Sequence, residues 1–121
     1  MRNILFAAVV AVGSVAGAAG ALALDLSVLP RDEASLRALD NQQLRIVRRA
    51  GAQCAHFGEA PFSGAYHAGA RARGCIIGNT EQAIRSSDDR VLQTYHDWLP
   101  YGVRYDENRP GYYWQRLVAA R

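Results

Sequence analysis

The sequence predicts a mainly α-helical fold in which a disulfide links the two helices of a hairpin, a third helix follows, and an aromatic tail forms a short β-hairpin. Two observations carry this prediction. Apolar residues recur at intervals of three, four and seven positions after residue 30, and the chain has only two cysteines, Cys54 and Cys75. Together they predict one small domain over residues 24–121 that is crosslinked by a disulfide.

The first 23 residues have the three-part pattern of a secretory signal peptide. Arg2 supplies an early positive charge, residues 4–12 are apolar, and Ala21-Leu22-Ala23 has the A-x-A pattern of a peptidase site. We therefore expect cleavage after residue 23 and a periplasmic or secreted protein. The alternative is an uncleaved anchor, because an uncharged stretch of about twenty residues can span a bilayer. Only in that case do we expect contact with a membrane.

The first helix is expected from Arg31 to about Phe57, with Asp32 or Ser35 as its N-cap. Its core-facing side is predicted from spacings of three, four and seven residues. The residues predicted to lie on that side are Leu36, Leu39, Leu44, Val47, Ala50 and Cys54.

Two further helices are expected before residue 100. The second runs from about Ala65 to Arg85, and its glycines are expected either to interrupt it near Gly78 or to let it approach a neighbouring helix closely. The third follows the run 86–89, whose serines and aspartates are typical of an N-cap, and ends at Pro100. The paired aspartates are thus assigned to capping rather than to acid–base chemistry.

The two cysteines are expected to pair, because disulfides form in the oxidising compartments that exported proteins reach. Closing a loop of this length stabilises a fold by about 3 kcal/mol, which matters for a chain with few large aliphatic residues. Two alternatives remain open. In the first, His56 and His67, with or without Cys54 and Cys75, form a zinc or copper site. In the second, the two thiols stay free and reactive.

An aromatic and arginine-rich segment follows residue 94. Aromatic and arginine side chains are enriched at binding hot spots, so the segment is predicted to bind an envelope protein or a glycan. The alternative is that these large side chains only close a small core. The residues predicted to form the binding surface are Trp98, Tyr101, Tyr105, Tyr112, Trp114 and Arg109.

The sequence pattern of the tail is compatible with two different structures. Val103 and Tyr105 alternate with polar residues, residues 106–111 are typical of a turn, and Tyr112 and Trp114 follow, which favours a β-hairpin. A short helix over residues 113–120 is the alternative.

Composition and motifs exclude several classes of function. The net charge is +3, with 14 basic residues against 11 acidic ones, which does not favour nucleic-acid binding by an exported protein. No G-x-S-x-G motif is present, and His56, His67 and His96 lie outside any recognisable catalytic pattern. We therefore expect a protein that is not an enzyme and that carries no cofactor.

One stretch of the sequence resembles a known family. Leu24-Asp25-Leu26-Ser27, an amphipathic helix ending at Cys54, and an Ala/Arg-rich segment that reaches Cys75 occur in that order within residues 24–84. This arrangement resembles the UrcA family of small exported bacterial proteins. The resemblance implies export and a helical pair joined by a disulfide, and it implies no reaction.

Overall fold

The computed structural model describes residues 24–57, 69–111 and 113–119, so the predicted signal peptide lies outside the described residues. The described part is mainly helical and contains no strand, which confirms the prediction of a mainly α-helical fold. Two short 3-10 turns, Leu26–Val28 and Ala55–Phe57, flank the first helix. The α-helices are α1 (Glu33–Gln53), α2 (Ala70–Arg85), α3 (Arg90–Trp98), α4 (Tyr101–Arg104) and α5 (Tyr113–Ala119). None of these helices is long and apolar enough to cross a bilayer.

Helix α1 begins and ends close to where the sequence predicts. The Asp32 carboxylate accepts a hydrogen bond from the backbone N–H of Ser35 at 2.8 Å, which satisfies one of the free amides of the first turn. Cys54 is the C-cap residue. All six residues predicted to face the core are buried, so α1 supplies the central apolar face of the fold.

The Cys54–Cys75 disulfide is present and joins the end of α1 to α2. The two helices pack against each other beside it, and the Asn79 side-chain amide donates to Gln53 Oε1 at 3.2 Å one turn further along α2. The connection over residues 58–68 lies outside the described residues. Beneath the disulfide lies a small core cluster formed by Ala50, Cys54, Ala72, Ile76 and Tyr105.

Helix α2 is continuous, so the predicted interruption near Gly78 does not occur. The suggested close approach of a neighbouring helix is also wrong at Gly74 and Gly78, because a Cβ atom added at either would meet nothing within 4 Å. Both glycines face solvent, while Ile76 and Ile84 on the opposite side of α2 are fully buried. Burial of that apolar side offsets the propensity cost of the glycines.

Of the two aspartates before α3, Asp89 is the N-cap residue, as predicted, and Asp88 lies in the turn. The Asp89 carboxylate accepts from the backbone N–H of Leu92 at 3.1 Å, and the Ser87 hydroxyl accepts from the backbone N–H of Asp89 at 3.2 Å. Asp88 has a φ of 61°, a left-handed conformation that aspartate adopts more readily than most residues. These contacts fix the change of direction between α2 and α3.

The predicted β-hairpin of the tail is wrong, because the described tail residues form α4 and α5 instead. Trp114 and Leu117 are both buried in the main core. Residues three apart lie on the same side of a helix but on opposite faces of a strand, so only the helix buries both. The alternative prediction, a short helix over 113–120, is the one found.

Candidate binding site

Of the six residues predicted to form a binding surface, Tyr112 lies outside the described residues and the other five are dispersed. Tyr105, Trp114 and Arg109 are buried, with 3%, 4% and 5% of their surface exposed, whereas Tyr101 is 61% exposed. Trp98 is half-buried against the main core. The structure therefore brings these five into no common surface, but it places Arg109 and Trp114 at one pocket.

This pocket, which we call the Arg109 pocket, lies between α1 and the tail and has a volume of about 500 Å³. Its floor is formed by buried residues and its rim by exposed ones. The floor residues are Asp40, Leu44, Arg109 and Trp114, and the rim residues are Arg37, Asn41, Gly111 and Gln115. Concave sites with apolar walls and a few convergent polar groups are typical of small-molecule binding.

A buried carboxylate holds the floor of the pocket in place. Asp40 Oδ1 accepts hydrogen bonds from the Tyr95 hydroxyl and from Nη2 of Arg109, each at 2.5 Å. Burial, followed by the hydrogen bond to the Asp40 carboxylate, raises the pKa of Tyr95 well above its ordinary value, so this hydroxyl stays protonated. The result is a fixed link between α1, α3 and the segment before α5.

The Arg109 guanidinium is only partly satisfied by this arrangement. Its side chain has no exposed surface, and within the described part of the chain neither Nε nor Nη1 has a hydrogen-bond partner. A buried donor without a partner costs about 1–3 kcal/mol, and a charged one costs more. A desolvated cation with unused donors thus lies enclosed beneath the floor of the pocket.

The rim supplies a second cation. The guanidinium carbon of Arg37 lies over the Trp114 ring, 5.1 Å from its centroid, which is within the range of a cation–π contact. Arg37 and Arg109 together outnumber Asp40, so the charged groups that line the pocket sum to one positive charge. A singly charged anion would balance them.

A second polar network, centred on His96, also meets the core-facing side of α1, through Gln43. His96 has no exposed surface, its Nε2 lies 2.5 Å from Glu81 Oε2, and the Tyr105 hydroxyl donates to the same oxygen. Burial lowers the pKa of His96 below its ordinary value, against the opposing effect of Glu81, so the ring is neutral near pH 7. A ring sealed in the core has no access to a substrate.

Glu81 stays ionised in this network. Burial acts to raise its pKa, but hydrogen bonds from Tyr105 and His96, with the charge of Arg85 nearby, outweigh burial and lower it. Arg85 also forms an ion pair with Asp97 at 2.5 Å on the surface. All the polar atoms of Glu81 are thus engaged in contacts that hold α2, α3 and Tyr105 together.

The ligands of the alternative metal site are not assembled among the described residues. The sulfur atoms of Cys54 and Cys75 are bonded to each other and are therefore not thiolate ligands. His56 is exposed, with Nδ1 3.1 Å from the carbonyl oxygen of Gln53, and His67 lies outside the described residues. Across 24–57, 69–111 and 113–119, no group of three or more potential ligands comes together.

A second groove, of about 430 Å³, lies between α1 and α2 and is more polar. Its most prominent side-chain amides, those of Gln53 and Asn79, already bond to each other. None of the described residues that line this groove has a buried polar atom without a partner. The Arg109 pocket has an aromatic ring with a cation over it, which this groove lacks among its described lining residues, and is therefore the better candidate. The groove is lined by Ile46, Arg49, Ala50, Gln53, Asn79, Gln82, Ala83 and Ser86.

Sequence reasoning missed Asp40, Gln43 and Arg37. A signal for two of them was present, because Asp40 and Gln43 follow Leu36 by four and seven positions and so share the side of α1 that faces the core. Both are buried, with 3% and 0% of their surface exposed. A polar residue on a helix face that is otherwise apolar is the pattern that marks such a site.

No family model, curated protein or solved structure matches this chain. The resemblance to the UrcA family therefore stays a prediction, and any function must be argued from the pocket itself.

Proposed function

We propose that this chain is a small exported protein, not an enzyme, that binds a ligand in the Arg109 pocket. One observation carries the proposal: a concave site of about 500 Å³ between α1 and the tail brings together the Arg37 cation, the Trp114 ring and the polar rim residue Asn41. A few polar groups beside apolar walls are the combination that binding sites for small molecules use. Trp114 and Leu44 would contribute the apolar contacts.

Export is supported by two independent features of the chain. Residues 1–23 have the pattern of a signal peptide, and the Cys54–Cys75 disulfide is a bond typical of proteins outside the cytoplasm. We place α1 and α2 as a helical hairpin that this disulfide closes. Intact-mass measurement on protein recovered from the periplasm tests the export step, with an N-terminus at Leu24 as the expected result and retention of Met1 as the contrary one.

A binding role is favoured over catalysis by the way the titratable side chains are used. His96 is enclosed between Gln43 and Glu81, and Asp40 is engaged by Tyr95 and Arg109. Both side chains are held by hydrogen bonds within the protein, so neither is free to exchange a proton with a substrate. The pocket is favoured over a surface of exposed aromatic residues because Tyr105 and Trp114 are buried.

The test is a thermal-shift screen of small molecules, using protein recovered from cells that express the full chain. A ligand that binds only the folded state raises the melting temperature. Asn41→Phe places a ring at the rim of the pocket, and Ala52→Phe is the matched control at an exposed α1 position that lines neither pocket. We expect at least one stabilising compound whose effect is lost in Asn41→Phe and kept in Ala52→Phe. Equal effects in both variants would contradict the proposal.

A further inference from the structure

We infer that α1 binds the anionic surface of a phospholipid membrane through its exposed arginines. This surface, which we call the arginine face, consists of Arg37, Arg45, Arg48 and Arg49. The inference goes beyond the proposed function, because the arginine face needs no ligand in the Arg109 pocket. Three features carry it: the placement of the arginines, their lack of acidic partners and the side chains that lie between them.

The four arginines lie on the side of α1 that faces solvent. At 3.6 residues per turn they fall within an arc of about 120° and spread over about 18 Å of the helix axis. The buried side of the same helix, which includes Leu36 and Val47, lies opposite. The arginine face therefore presents several positive charges in one direction.

No acidic side chain of the described residues pairs with the arginine face. Between residues 34 and 53 the only acidic residue is Asp40, which is buried and paired with Arg109. Arg48 donates to the backbone carbonyl oxygen of Glu107 at 3.4 Å, and the carboxylate of Glu107 forms no ion pair with it. None of the four arginines belongs to an ion pair of the described structure. Their charges are therefore available to an external anion.

The side chains between the arginines are small and neutral, and this favours a membrane over a protein partner. The exposed neighbours are Ala34, Ala38, Asn41 and Ala52. The large apolar side chains that are exposed in the described residues lie elsewhere, at Leu24, Leu26 and Tyr101. Protein interfaces are centred on aromatic and other large apolar anchors, which this face lacks. A charged lipid surface needs only cations that can approach it without obstruction.

Phosphate is the group in the membrane that the arginines fit. A guanidinium presents its N–H groups as a planar fork that pairs with two phosphate oxygens, and lipid headgroups carry such phosphates in a dense layer. Because the short alanine side chains do not extend as far as the arginines, the guanidinium groups can reach that layer together. An exported protein, as proposed above, meets phospholipid surfaces in the cell envelope.

Binding of this kind stays at the headgroups and depends on salt. The arginine face has no large apolar side chain to insert between lipid chains, so attraction between charges supplies the affinity. Salt screens such attraction over about 10 Å at 0.1 M and over about 3 Å at 1 M. The sequence ties membrane contact to an uncleaved anchor over residues 1–23, and an apolar anchor would instead hold at high salt.

The experiment sediments vesicles with protein recovered from cells that express the full chain. One set of vesicles contains equal parts of phosphatidylglycerol and phosphatidylcholine, and the control set contains phosphatidylcholine alone. We expect binding to the mixed vesicles at about 0.1 M salt and release at about 1 M. We expect no binding to the neutral vesicles.

Two variants that remove the same charge place the binding on α1. Arg45→Gln is expected to weaken binding about fivefold, which corresponds to the contribution of about 1 kcal/mol from one basic residue near an anionic surface. Arg90→Gln removes an exposed arginine from α3, which packs on the core-facing side of α1, and is expected to change binding less than about twofold. Arg45 lines neither pocket, so its replacement leaves the Arg109 pocket unchanged.

Each outcome bears on the arginine face and not on the pocket. Equal losses in Arg45→Gln and Arg90→Gln would overturn the inference in favour of attraction by net charge alone. Binding to neutral vesicles, or binding that persists at high salt, would overturn it in favour of an apolar anchor. Failure to bind either set of vesicles would also overturn it, and retention on immobilised polyphosphate in that case would identify a soluble polyanion as the partner.

Discussion

The side-chain nitrogen of Gln43 lies 3.0 Å from Nδ1 of His96 and 2.8 Å from the carbonyl oxygen of Arg104. Because a carbonyl oxygen only accepts, the Arg104 contact fixes the orientation of the Gln43 amide, and its second hydrogen points to His96. Nδ1 of His96 must then accept, so the ring hydrogen is on Nε2 and is donated to Glu81. Gln43 thereby selects a neutral imidazole in the core.

The neutral state of His96 makes the protein less stable in mild acid. In the folded protein the pKa of His96 lies below the ordinary 6.5, mainly because the ring is buried, so the unfolded chain binds more protons below that pH. The stabilisation is fully present above about pH 6.5 and is lost as the pH falls towards the folded pKa. Urea unfolding between pH 7.5 and 5 is expected to show a free energy of unfolding that falls with pH.

The control for this effect is a pair of histidine variants. His96→Gln is expected to lower stability at pH 7.5 but to flatten the pH dependence, whereas His56→Gln at an exposed site is expected to keep it. A wild-type profile that matches that of His96→Gln would show that the ring does not titrate as described.

Removal of the Asp40 carboxylate is expected to be one of the most damaging single changes. Asp40→Ala leaves the enclosed Arg109 cation without its counter-charge, and breaking a buried pair in this way costs about 3–5 kcal/mol. Tyr95→Phe removes only a hydroxyl donor to the same carboxylate oxygen and is expected to cost less, about 1.5–3 kcal/mol. Chemical denaturation of the two variants measures the difference, and equal losses would contradict a central role for the ion pair.

One substitution in α2 is expected to stabilise the protein. Thr80 is fully buried, and its hydroxyl has no hydrogen-bond partner in the described structure. Thr80→Val keeps the shape of the side chain and removes the unsatisfied group, so the free energy of unfolding should rise by about 1 kcal/mol. Thr94→Val in α3 serves as a comparison and is expected to gain less, since Thr94 keeps 9% of its surface exposed whereas Thr80 keeps none. A loss of stability in Thr80→Val would show that the hydroxyl is satisfied, for example by water.

Reduction of the Cys54–Cys75 disulfide is expected to lower the free energy of unfolding by about 3 kcal/mol, because the bond restricts the unfolded chain. The melting temperature should fall when reductant is added, and the double variant Cys54→Ala, Cys75→Ala should melt at the reduced value. A melting temperature that does not respond to reductant would mean that packing of α1 on α2 suffices.

Local periodicity explains why α1 was predictable and the pocket was not. Leu36, Val47 and Cys54 repeat on one side of a helix, and that spacing is visible in a short window of sequence. Asp40 is buried by a partner 69 positions away, and Gln43 by one 53 positions away. The sequence around Asp40 and Gln43 does not indicate which distant residues they contact. The pocket floor is therefore a product of tertiary packing and could not be predicted from local pattern.

The tail shows how two periodicities compete in a short segment. The alternation around Val103 and Tyr105 imitates a strand, whereas the spacing of three between Trp114 and Leu117 fits a helix. The core beside α1 accepts both Trp114 and Leu117, and that burial favours the helix. Of the described aromatic residues that suggested a binding surface, Tyr105 and Trp114 belong to the core, Trp98 is half-buried and Tyr101 is exposed.

The most direct test of the account is a high-resolution crystal structure of the protein grown with a compound that the thermal-shift screen identifies. We expect the compound in the Arg109 pocket, in contact with Arg37 and Trp114, with Nη2 of Arg109 still bonded to Asp40. An empty pocket, or the compound bound at another place on the protein, would contradict the account.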